Sequence, residues 1–312
     1  MLDFNQTIQT LDHVNNILIL PSTPADGDSV ASALALQKVL LEKGKNADVV
    51  MMVDTPKTLQ FLPAAHGILP KADIDPDFVI SVDLGKTEVS GVTHNVVDSK
   101  LEIVIKPENG SIQDTQVSFP KQLPRYDLLI TVDTASLEQL GPFYEKHLQV
   151  FGQIPSINID HHETNNNYAS INLVDSQKAS TTQILFDLFK EWNIDFDSDL
   201  STLLLTGIIT DTGSFQNENT TPQTFDIAAE LIERGARQQE IIKNVYKTKE
   251  LETLKLWGRV LTELNVDEEN RLVWASVPQN VFKETGTTSQ DLSDIIDELM
   301  SNAQEADTVL LL

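Results

Sequence analysis

The sequence predicts an α/β fold in which a mostly parallel sheet is flanked by helices. Three short apolar runs, residues 16–20, 127–132 and 154–159, are typical of buried strands. Segments with helical periodicity separate these runs, and strands that alternate with helices indicate a parallel sheet. Acidic residues follow each run. They should therefore lie at the carboxyl edge of the sheet, where open α/β folds build their sites.

Periodicity and turn residues define the elements of the first part of the chain. Apolar side chains recur on one face of segments 1–14 and 29–44, which predicts two amphipathic helices. We expect Asp28 or Ser29 to cap the second of these helices and Gly44 to end it. The elements expected before residue 124 are, in order, a helix over 1–14, a strand over 16–20, a helix over 29–44, a strand over 47–53, a short helix over 56–62, a strand over 78–83, and a β-hairpin over 92–105 within an insertion at about 87–123.

The elements after the insertion rest on the same kinds of observation. Ser180 is a typical helix cap and Gly235 a typical helix end. In order, we expect a strand over 127–132, a helix over 136–148, a strand over 154–159, an edge strand over 171–175, and helices over 180–192, 200–209 and 222–234.

The C-terminal part of the chain predicts a second domain. Residues 238–262 are rich in Lys, Glu and Leu, which indicates a helical linker after a first domain over 1–237. The following segment predicts a strand over 271–277, a helix over 289–303 and a last strand from 306. Because a bare apolar strand would leave an unpaired edge, we expect residues 263–312 to be the start of an incomplete α/β domain.

The composition restricts the classes of partner. The chain has 312 residues, with 22 Lys and Arg against 47 Asp and Glu, so its formal net charge is −25. Such a surface repels polyanions, so we expect no long nucleic-acid duplex as partner, although solubility or salt adaptation explains the acidity equally well. The absence of cysteine excludes disulfides, thiolate metal sites and cysteine nucleophiles. No apolar run approaches the ~20 residues of a membrane helix, and no signal peptide is evident, so we expect a cytoplasmic protein without a membrane partner.

Asp160, His161 and His162 form the most specific candidate site. They directly follow a predicted strand, and carboxylate with imidazole is a ligand set suited to Mn, Fe or Zn. A surface loop with two solvated histidines is the alternative interpretation. The other histidines lie in polar or helical contexts and are interpreted as structural or solvated: His13, His66, His94 and His147.

Four further aspartates favour the metal interpretation. Asp26 and Asp28 follow the first predicted strand, Asp133 follows a later one, and Asp211 follows an apolar helix. Taken singly, each could be an ordinary turn, cap or helix exit. Gathered at one edge, the carboxylates would repel each other and resist ionisation, and two divalent cations would remove that repulsion. Asp83 has a context similar to that of Asp133, but the insertion that follows it makes us prefer Asp133.

Two divalent cations held in this way support phosphoryl chemistry, because they clamp a phosphoryl group and activate a water. We expect Asp133 to bridge the pair and His162 to donate a hydrogen bond to a phosphate oxygen.

The order of these groups resembles the DHH (RecJ-type) phosphoesterases. The matching stretches are Asp26-Gly27-Asp28, Asp133-Thr134, Asp160-His161-His162 and Thr210-Asp211-Thr212-Gly213-Ser214-Phe215. Within that family the chain is similar to the oligoribonuclease/pAp-phosphatase (nanoRNase) branch, through Asn165 and the segments 180–182, 219–221 and 246–249.

The resemblance implies a DHH catalytic domain, a DHHA1-type substrate domain and a hydrolase that uses two Mn²⁺ ions, with Mg²⁺ or Co²⁺ as alternatives. Asp26 and Asp133 would serve one ion. The other would be held by Asp28, Asp133, His161 and Asp211. His162 and Asp160 would be the catalytic residues, with His162 at the phosphate and Asp160 orienting an imidazole from behind. Short oligoribonucleotides, pAp, or linear and cyclic dinucleotides would be substrates. A homodimer is a candidate assembly.

Two departures from the family support an alternative function. Ser22 stands where the family has a histidine, four residues before the first aspartate, and the Gly-Gly-Gly-His stretch of the substrate domain does not occur in this sequence. The alternative is a nucleotide-binding or regulatory module with weakened catalysis and without a full two-metal site. A related pyrophosphatase is disfavoured, because the second domain has no obvious basic clamp.

Overall fold

The structure is a computed structural model that describes residues 2–72, 74, 79–119, 125–247, 251–292, 295–296 and 307–312. Contacts between Cα atoms divide the chain into two units, Met1–Ala236 and Arg237–Leu312.

The first unit contains the elements that position the candidate site. Its strands are β1 (Asn16–Pro21), β2 (Asn46–Val49), β3 (Ser81–Val82), β4 (Val89–Val97), β5 (Lys100–Pro107), β6 (Val117–Ser118), β7 (Leu128–Val132), β8 (Ser156–Asp160) and β9 (Ile171–Val174). Its α-helices are α1 (Phe4–His13), α2 (Gly27–Glu42), α3 (Pro142–Lys146), α4 (Thr181–Glu191), α5 (Ser198–Asp211) and α6 (Pro222–Glu233).

A parallel sheet forms the centre of this unit. In the described residues its strand order is β2-β1-β7-β8-β9, and each pair of neighbours is parallel. Strands β1, β7 and β8 are almost wholly buried, as expected for parallel strands covered on both faces. The predicted α/β class, with a mostly parallel sheet flanked by helices, is confirmed.

Apolar side chains pack against both faces of the sheet. Leu18 and Leu20 of β1 share one buried cluster with Phe143 of α3. Because side chains alternate along a strand, Ile17 and Ile19 point to the opposite face, and both are fully buried. Helix α2 contacts β1 and packs against α4 and α5. This packing fixes α2, α4 and α5 relative to the strand ends.

The start of α2 differs from the prediction. Asp26 is the cap: its Oδ1 accepts a hydrogen bond from Ser29 N at 2.9 Å, and Ser29 Oγ accepts one from Asp26 N at 3.0 Å. The expectation that Asp28 or Ser29 caps the helix was wrong, because both lie in its first turn. Gly27 begins the helix against Thr210, whose side chain a Cβ at residue 27 would overlap.

The helix predicted over 136–148 is broken. The chain forms a 3₁₀ turn at Leu137–Leu140, the short α3, and a second 3₁₀ turn at Leu148–Gly152. Gly141 adopts φ +55°, which ends the first turn, and Pro142 starts α3 where its missing N–H is not needed.

Two other predicted elements are shorter in the structure. Strand β2 ends at Val49 rather than at residue 53, and the helix expected over 56–62 is a 3₁₀ turn at Lys57–Leu59. Propensity alone gave no stop signal for either element.

The predicted insertion contains the expected hairpin. Strands β4 and β5 pair antiparallel, and Asp98 and Ser99 between them adopt φ +47° and +62°. These are the left-handed values that a tight hairpin turn requires. Strand β3 pairs antiparallel with β6 outside the parallel sheet. The strand predicted over 78–83 is therefore reduced to β3, and residue 78 lies outside the described residues.

The second unit is a small α/β element. Its strands are β10 (Asn265–Asp267), β11 (Leu272–Ala275) and β12 (Thr308–Leu311), and its helices are α7 (Gln238–Tyr246), α8 (Leu251–Thr262) and α9 (Gln279–Thr285). Strand β12 pairs with β11 in parallel, so the last strand, expected to be unpaired, is paired along one edge.

The helices of this unit depart from the sequence prediction in two places. The single helix expected over 238–262 is divided into α7 and α8, and residues 248–250 lie outside the described part. Of the helix expected over 289–303, Ser289–Leu292 forms a 3₁₀ turn and most of the remainder lies outside the described residues. Among the described helices, none has the length and apolarity needed to cross a membrane.

Candidate functional site

The carboxyl edge of the parallel sheet brings the candidate residues together. Asp133 directly follows β7, and Asp160 is the last residue of β8, the neighbouring strand. Strand β1 lies on the other side of β7, and the chain passes from it to the start of α2. The chain leaves β1 first toward β2 and later returns on the other side at β7. The site therefore lies at the point where the strand order reverses, as in other open α/β sheets.

His161 lies at the centre of a compact group of acidic residues. Its Nε2 is 2.9 Å from Asp211 Oδ2 and 3.6 Å from Asp133 Oδ1. One ligand atom each from Asp28, His161 and Asp211 lie within 4.8 Å of one another, and the same holds for Asp133, His161 and His162. Both groups could hold a metal ion, and they share His161.

The N-terminus of α4 fixes the carboxylate of Asp28. Thr181 N donates to Asp28 Oδ2 at 2.6 Å, and Thr182 donates to Asp28 Oδ1 through both its N, at 3.0 Å, and its Oγ1, at 2.8 Å. The free N–H groups and the dipole of a helix N-terminus stabilise a negative charge placed there. Asp28 is therefore a rigid, fully buried carboxylate.

The backbone of Asp133 is turned into the left-handed region. Its φ is +55°, its N–H donates to Ile159 O at 2.9 Å, and its Oδ1 accepts from Thr181 Oγ1 at 3.1 Å. A non-glycine residue with positive φ is uncommon and is held there by its surroundings. The turn places the carboxylate of Asp133 beside the two histidines.

Each histidine ring is oriented by a hydrogen bond that its Nδ1 donates. His161 Nδ1 lies 3.3 Å from Lys178 O, and because a carbonyl can only accept, Nδ1 carries the hydrogen. Nε2 of His161 is then free to face the carboxylates, the arrangement in which a histidine serves as a metal ligand.

His162 is held by Asp160. Its Nδ1 lies 2.7 Å from Asp160 Oδ1, and its side chain is 42% exposed, which leaves Nε2 open to a ligand. Asp160 is fully buried and also accepts from His161 N at 2.9 Å and from Asn165 Nδ2 at 2.6 Å. Burial alone would raise the pKa of Asp160, but the hydrogen bonds from His162 and Asn165 outweigh it and lower that pKa.

Asp26 occupies a different position from the other candidate ligands. Its side chain is exposed, caps α2, and lies outside both compact groups found in the described residues. Its charge nevertheless contributes to raising the pKa of Asp28, Asp133 and Asp211. Asp26 is thus at the rim of the cluster.

The remaining candidates from the sequence lie elsewhere. Asp83 is exposed beside the β3–β6 ribbon and accepts from Gly85 N. Of the histidines interpreted as structural or solvated, His13, His66 and His94 are exposed, and His147 lies against the ring of Phe143.

Two sets of residues contribute to the site although the sequence did not predict their roles. Thr181 donates to Asp28 and Asp133, and Thr182 donates to Asp28, whereas the sequence indicated for 180–182 a helix cap and a resemblance to the nanoRNase branch. Lys178 acts through its carbonyl, which no side-chain pattern reports.

The electrostatics of the cluster favour a bound cation. Burial, followed by the charge of Asp211, raises the pKa of Asp28 to about 7. Burial likewise raises the pKa of Asp133 and of Asp211. Burial lowers the pKa of His161, but the surrounding carboxylates raise it more strongly, to about 10. A divalent cation would remove the repulsion that resists ionisation of these acids.

The donor set of the cluster fits a divalent cation. Asp211 Oδ2 is buried and lies 2.9 Å from His161 Nε2, so these two atoms face each other inside the cluster. Carboxylate oxygen and imidazole nitrogen are ligands suited to Mn²⁺ and similar divalent ions.

The raised pKa of Asp28 predicts a pH dependence of stability. A carboxyl whose folded pKa is raised, here from 3.8 to about 7, contributes stability that is present below pH 3.8 and lost as the pH rises toward 7. After removal of metal by a chelator, the thermal midpoint should therefore fall more steeply between pH 4 and 7 in the wild type than in Asp28→Asn. Equal slopes would contradict this electrostatic description. Saturating Mn²⁺ should reverse the wild-type trend, because only the ionised carboxylates bind it.

The chain is similar to several known proteins. The model of the DHH family, N-terminal domain, matches residues 16–208. The chain is 27% identical over 269 residues to the bifunctional oligoribonuclease and PAP phosphatase NrnA of Thermus thermophilus, covering 86% of this chain and 65% of that protein. It is also 27% identical to the NrnA protein of Bacillus subtilis, covering 55% of this chain and 54% of that one. The chain thus spans about half to two thirds of the length of the curated relatives it matches.

A solved structure shows a similar fold. The crystal structure of an exopolyphosphatase-related protein from Bacteroides fragilis superposes with a TM-score of 0.74 at 17% identity, covering 97% of this chain and 77% of that chain. At this identity the likeness concerns the fold alone.

Proposed function

Because the chain belongs to the DHH family, we propose that it is a metal-dependent phosphoesterase that hydrolyses short oligoribonucleotides, pAp or dinucleotides by attack of water on phosphorus. The observation that carries the proposal is the convergence of Asp28, Asp133, His161 and Asp211 at one edge of the sheet. Four such groups in one pocket are the donor set of a divalent-metal hydrolase.

In this proposal the cluster holds two ions, taken to be Mn²⁺, with Mg²⁺ or Co²⁺ as alternatives. Asp28, Asp133, His161 and Asp211 would hold one ion, and Asp26 and Asp133 would hold the other. The ions supply an activated water and neutralise phosphate charge. The chain supplies rigidity, because α4 fixes Asp28 and the Lys178 carbonyl fixes the His161 ring.

His162 is the residue proposed to contact the phosphate. The hydrogen bond from its Nδ1 to Asp160 raises the pKa of His162, so the ring gains protonated character and its exposed Nε2 can donate to a phosphate oxygen. Asp160 is the positioning residue behind it, because it is fully buried and its oxygens already accept hydrogen bonds. A donor aimed where phosphate charge develops stabilises the transition state.

The substrate class is drawn from the relatives and from charge. The printed names of the two NrnA proteins give oligoribonuclease and PAP phosphatase activities. With a net charge of −25, this chain would repel a long duplex, whereas a short phosphate ester needs only the local charge of the metal site.

We assign catalysis to residues 1–237, a linker to 238–262 and a DHHA1-type substrate domain to 263–312. We also propose a cytoplasmic location. A homodimer is a candidate assembly.

A direct assay tests the proposal. The full chain with Mn²⁺ should release mononucleotide from a 5′-phosphorylated dinucleotide, and a chelator should abolish the release. If no mononucleotide or phosphate appears from a dinucleotide or pAp with Mn²⁺, Mg²⁺ or Co²⁺, the proposed hydrolase activity is wrong.

Ser22 favours a second candidate, a nucleotide-binding or regulatory module with weakened catalysis. It is nearly buried just after β1, where the family pattern has a histidine. If the protein is an active phosphoesterase, Ser22→His should change kcat/KM little. If catalysis is weakened by the missing imidazole, the same substitution should raise activity by about 10-fold or more, the effect of restoring support to a metal. Calorimetric titration with Mn²⁺, counting ions per chain in both proteins, separates the two outcomes.

A further inference from the structure

Two phenylalanines form a stacked pair beside the element that carries Asp211. The rings of Phe215 and Phe225 lie 5.1 Å apart between centroids with an interplanar angle of 22°. Phe215 is half-buried, whereas Phe225, in the first turns of α6, is 53% exposed. Phe225 is therefore the more exposed ring of the pair, and Phe215 packs against it.

The backbone holds Phe215 in an unusual conformation. Gly213, Ser214 and Phe215 have φ values of +54°, +59° and +69°. Left-handed values are uncommon for residues other than glycine, and for a bulky side chain they persist only where the surroundings enforce them. Two hydrogen bonds do so here: Ser214 N to Ile209 O at 2.7 Å and Phe215 N to Thr212 Oγ1 at 3.0 Å.

The aromatic pair is tied to the metal cluster by short connections. Phe215 is four residues from Asp211, so an extended chain would separate their Cα atoms by roughly 14 Å, and the coiled turn brings them closer. Asn217 and Asn219 both donate to the backbone carbonyl of Asp211, at 3.0 and 3.2 Å. These bonds fix the loop that carries Phe215 onto the end of α5.

A second connection links the start of α6 to His161. Gln223, two residues before Phe225, accepts a hydrogen bond from Lys178 Nζ at 3.3 Å. The carbonyl of the same lysine orients His161. The start of α6 and the ring of His161 are therefore both in contact with Lys178.

We propose that the exposed face of Phe225, backed by Phe215, stacks a nucleobase of the substrate whose phosphate lies at the metal cluster. This inference rests on the proposed function and names the part of the substrate that gives affinity. A base has a neutral, flat face and is not repelled by an acidic protein, whereas the phosphates gain attraction only at the metal site. Stacking on an aromatic ring accepts any base, which suits a hydrolase of mixed short oligonucleotides.

The test compares substrates with and without a base. Phe225→Ala should lower kcat/KM for a 5′-phosphorylated diadenylate by about 5- to 150-fold, the range that corresponds to removal of a stacking aromatic. The same assay is repeated with two analogues, each lacking one of the two adenines. For the analogue that lacks the stacked adenine, wild type and Phe225→Ala should have the same kcat/KM. Phe225→Trp should retain the wild-type preference. Ile232→Ala, a truncation of another exposed apolar residue on α6, should change kcat/KM for none of the three compounds by more than about twofold.

The outcomes distinguish this inference from the proposed function. If the wild type hydrolyses all three compounds and Phe225→Ala affects them equally or not at all, the stacking subsite is wrong and the hydrolase proposal survives. If the wild type shows no hydrolysis, the subsite is tested by calorimetric measurement of the binding of AMP and of ribose 5-phosphate in Mn²⁺. A preference for AMP that Phe225→Ala removes supports the subsite. Equal or absent binding of the two ligands, or a preference that the variant keeps, overturns it.

Discussion

Replacing Asp133 by asparagine should abolish hydrolysis and at the same time stabilise the protein from which metal has been removed. Asp133 is buried, and burial followed by the charges of Asp28 and Asp26 raises its pKa. A raised carboxyl pKa means that ionisation at pH 7 costs folding free energy, so a neutral side chain of the same shape removes that cost. Thr181 Oγ1 can still donate to the amide oxygen of the variant.

The loss of activity should exceed about 100-fold, because removing a residue that merely orients a metal ligand already costs about 10- to 100-fold. The measurements are kcat with Mn²⁺ and the thermal midpoint with chelator and with Mn²⁺. The midpoint should rise in chelator, while the increase produced by Mn²⁺ should shrink. Asp83→Asn, an exposed aspartate in a similar strand-end context, should change none of these values. If Asp133→Asn kept a kcat within tenfold of the wild-type value, Asp133 would not be a residue of the catalytic site.

The second large effect concerns Gly207, in the middle of α5. A Cβ built on this residue would overlap Asp28 Oδ1 and the side chain of Thr182. Alanine must therefore push α5 away from its neighbours or displace the Asp28 carboxylate from its three donors on α4. Overpacking of this kind typically destabilises by about 1–3 kcal/mol, even though alanine in a helix interior normally gains about 0.5–1 kcal/mol over glycine.

A matched control is available in α8. Within the described residues, a Cβ on Gly258 would meet nothing within 4 Å. Gly258→Ala should therefore raise stability by about 0.5–1 kcal/mol, while Gly207→Ala lowers it and weakens Mn²⁺ binding. Urea unfolding and calorimetric titration measure both quantities. Should Gly207→Ala be as stable as the wild type and bind Mn²⁺ equally well, the close packing of α5 on Asp28 would be refuted.

The sequence predicted the part of this arrangement that follows from strand order. Asp133 and Asp160 each follow an apolar run, and they lie at the same sheet edge if the two strands are parallel neighbours. Strands β7 and β8 are such neighbours. The choice of Asp133 over Asp83 also agrees with the geometry, because β3 pairs with β6 outside the parallel sheet. That pairing was not predictable from the short run over 78–83, since nothing local to a strand identifies its partner.

Local conformation was less predictable than topology. The positive φ of Asp133 and of Phe215 depends on tertiary contacts, so residue types alone do not indicate it. The hydrogen bonds from Thr181 and Thr182 to Asp28 join residues more than 150 positions apart, whereas the sequence showed only an ordinary helix cap. The segment predicted as a helix over 136–148 contains Gly141-Pro142, two helix-disrupting residues, and the structure breaks there.

Anomalous diffraction at the manganese edge, from crystals grown with Mn²⁺, is the most direct test of the metal cluster. We expect two peaks about 3.5–4 Å apart, both in contact with Asp133, one of them also bound by Asp28, His161 and Asp211. A single peak, or peaks that avoid these four side chains, would contradict the two-ion site on which the proposed phosphoesterase activity depends.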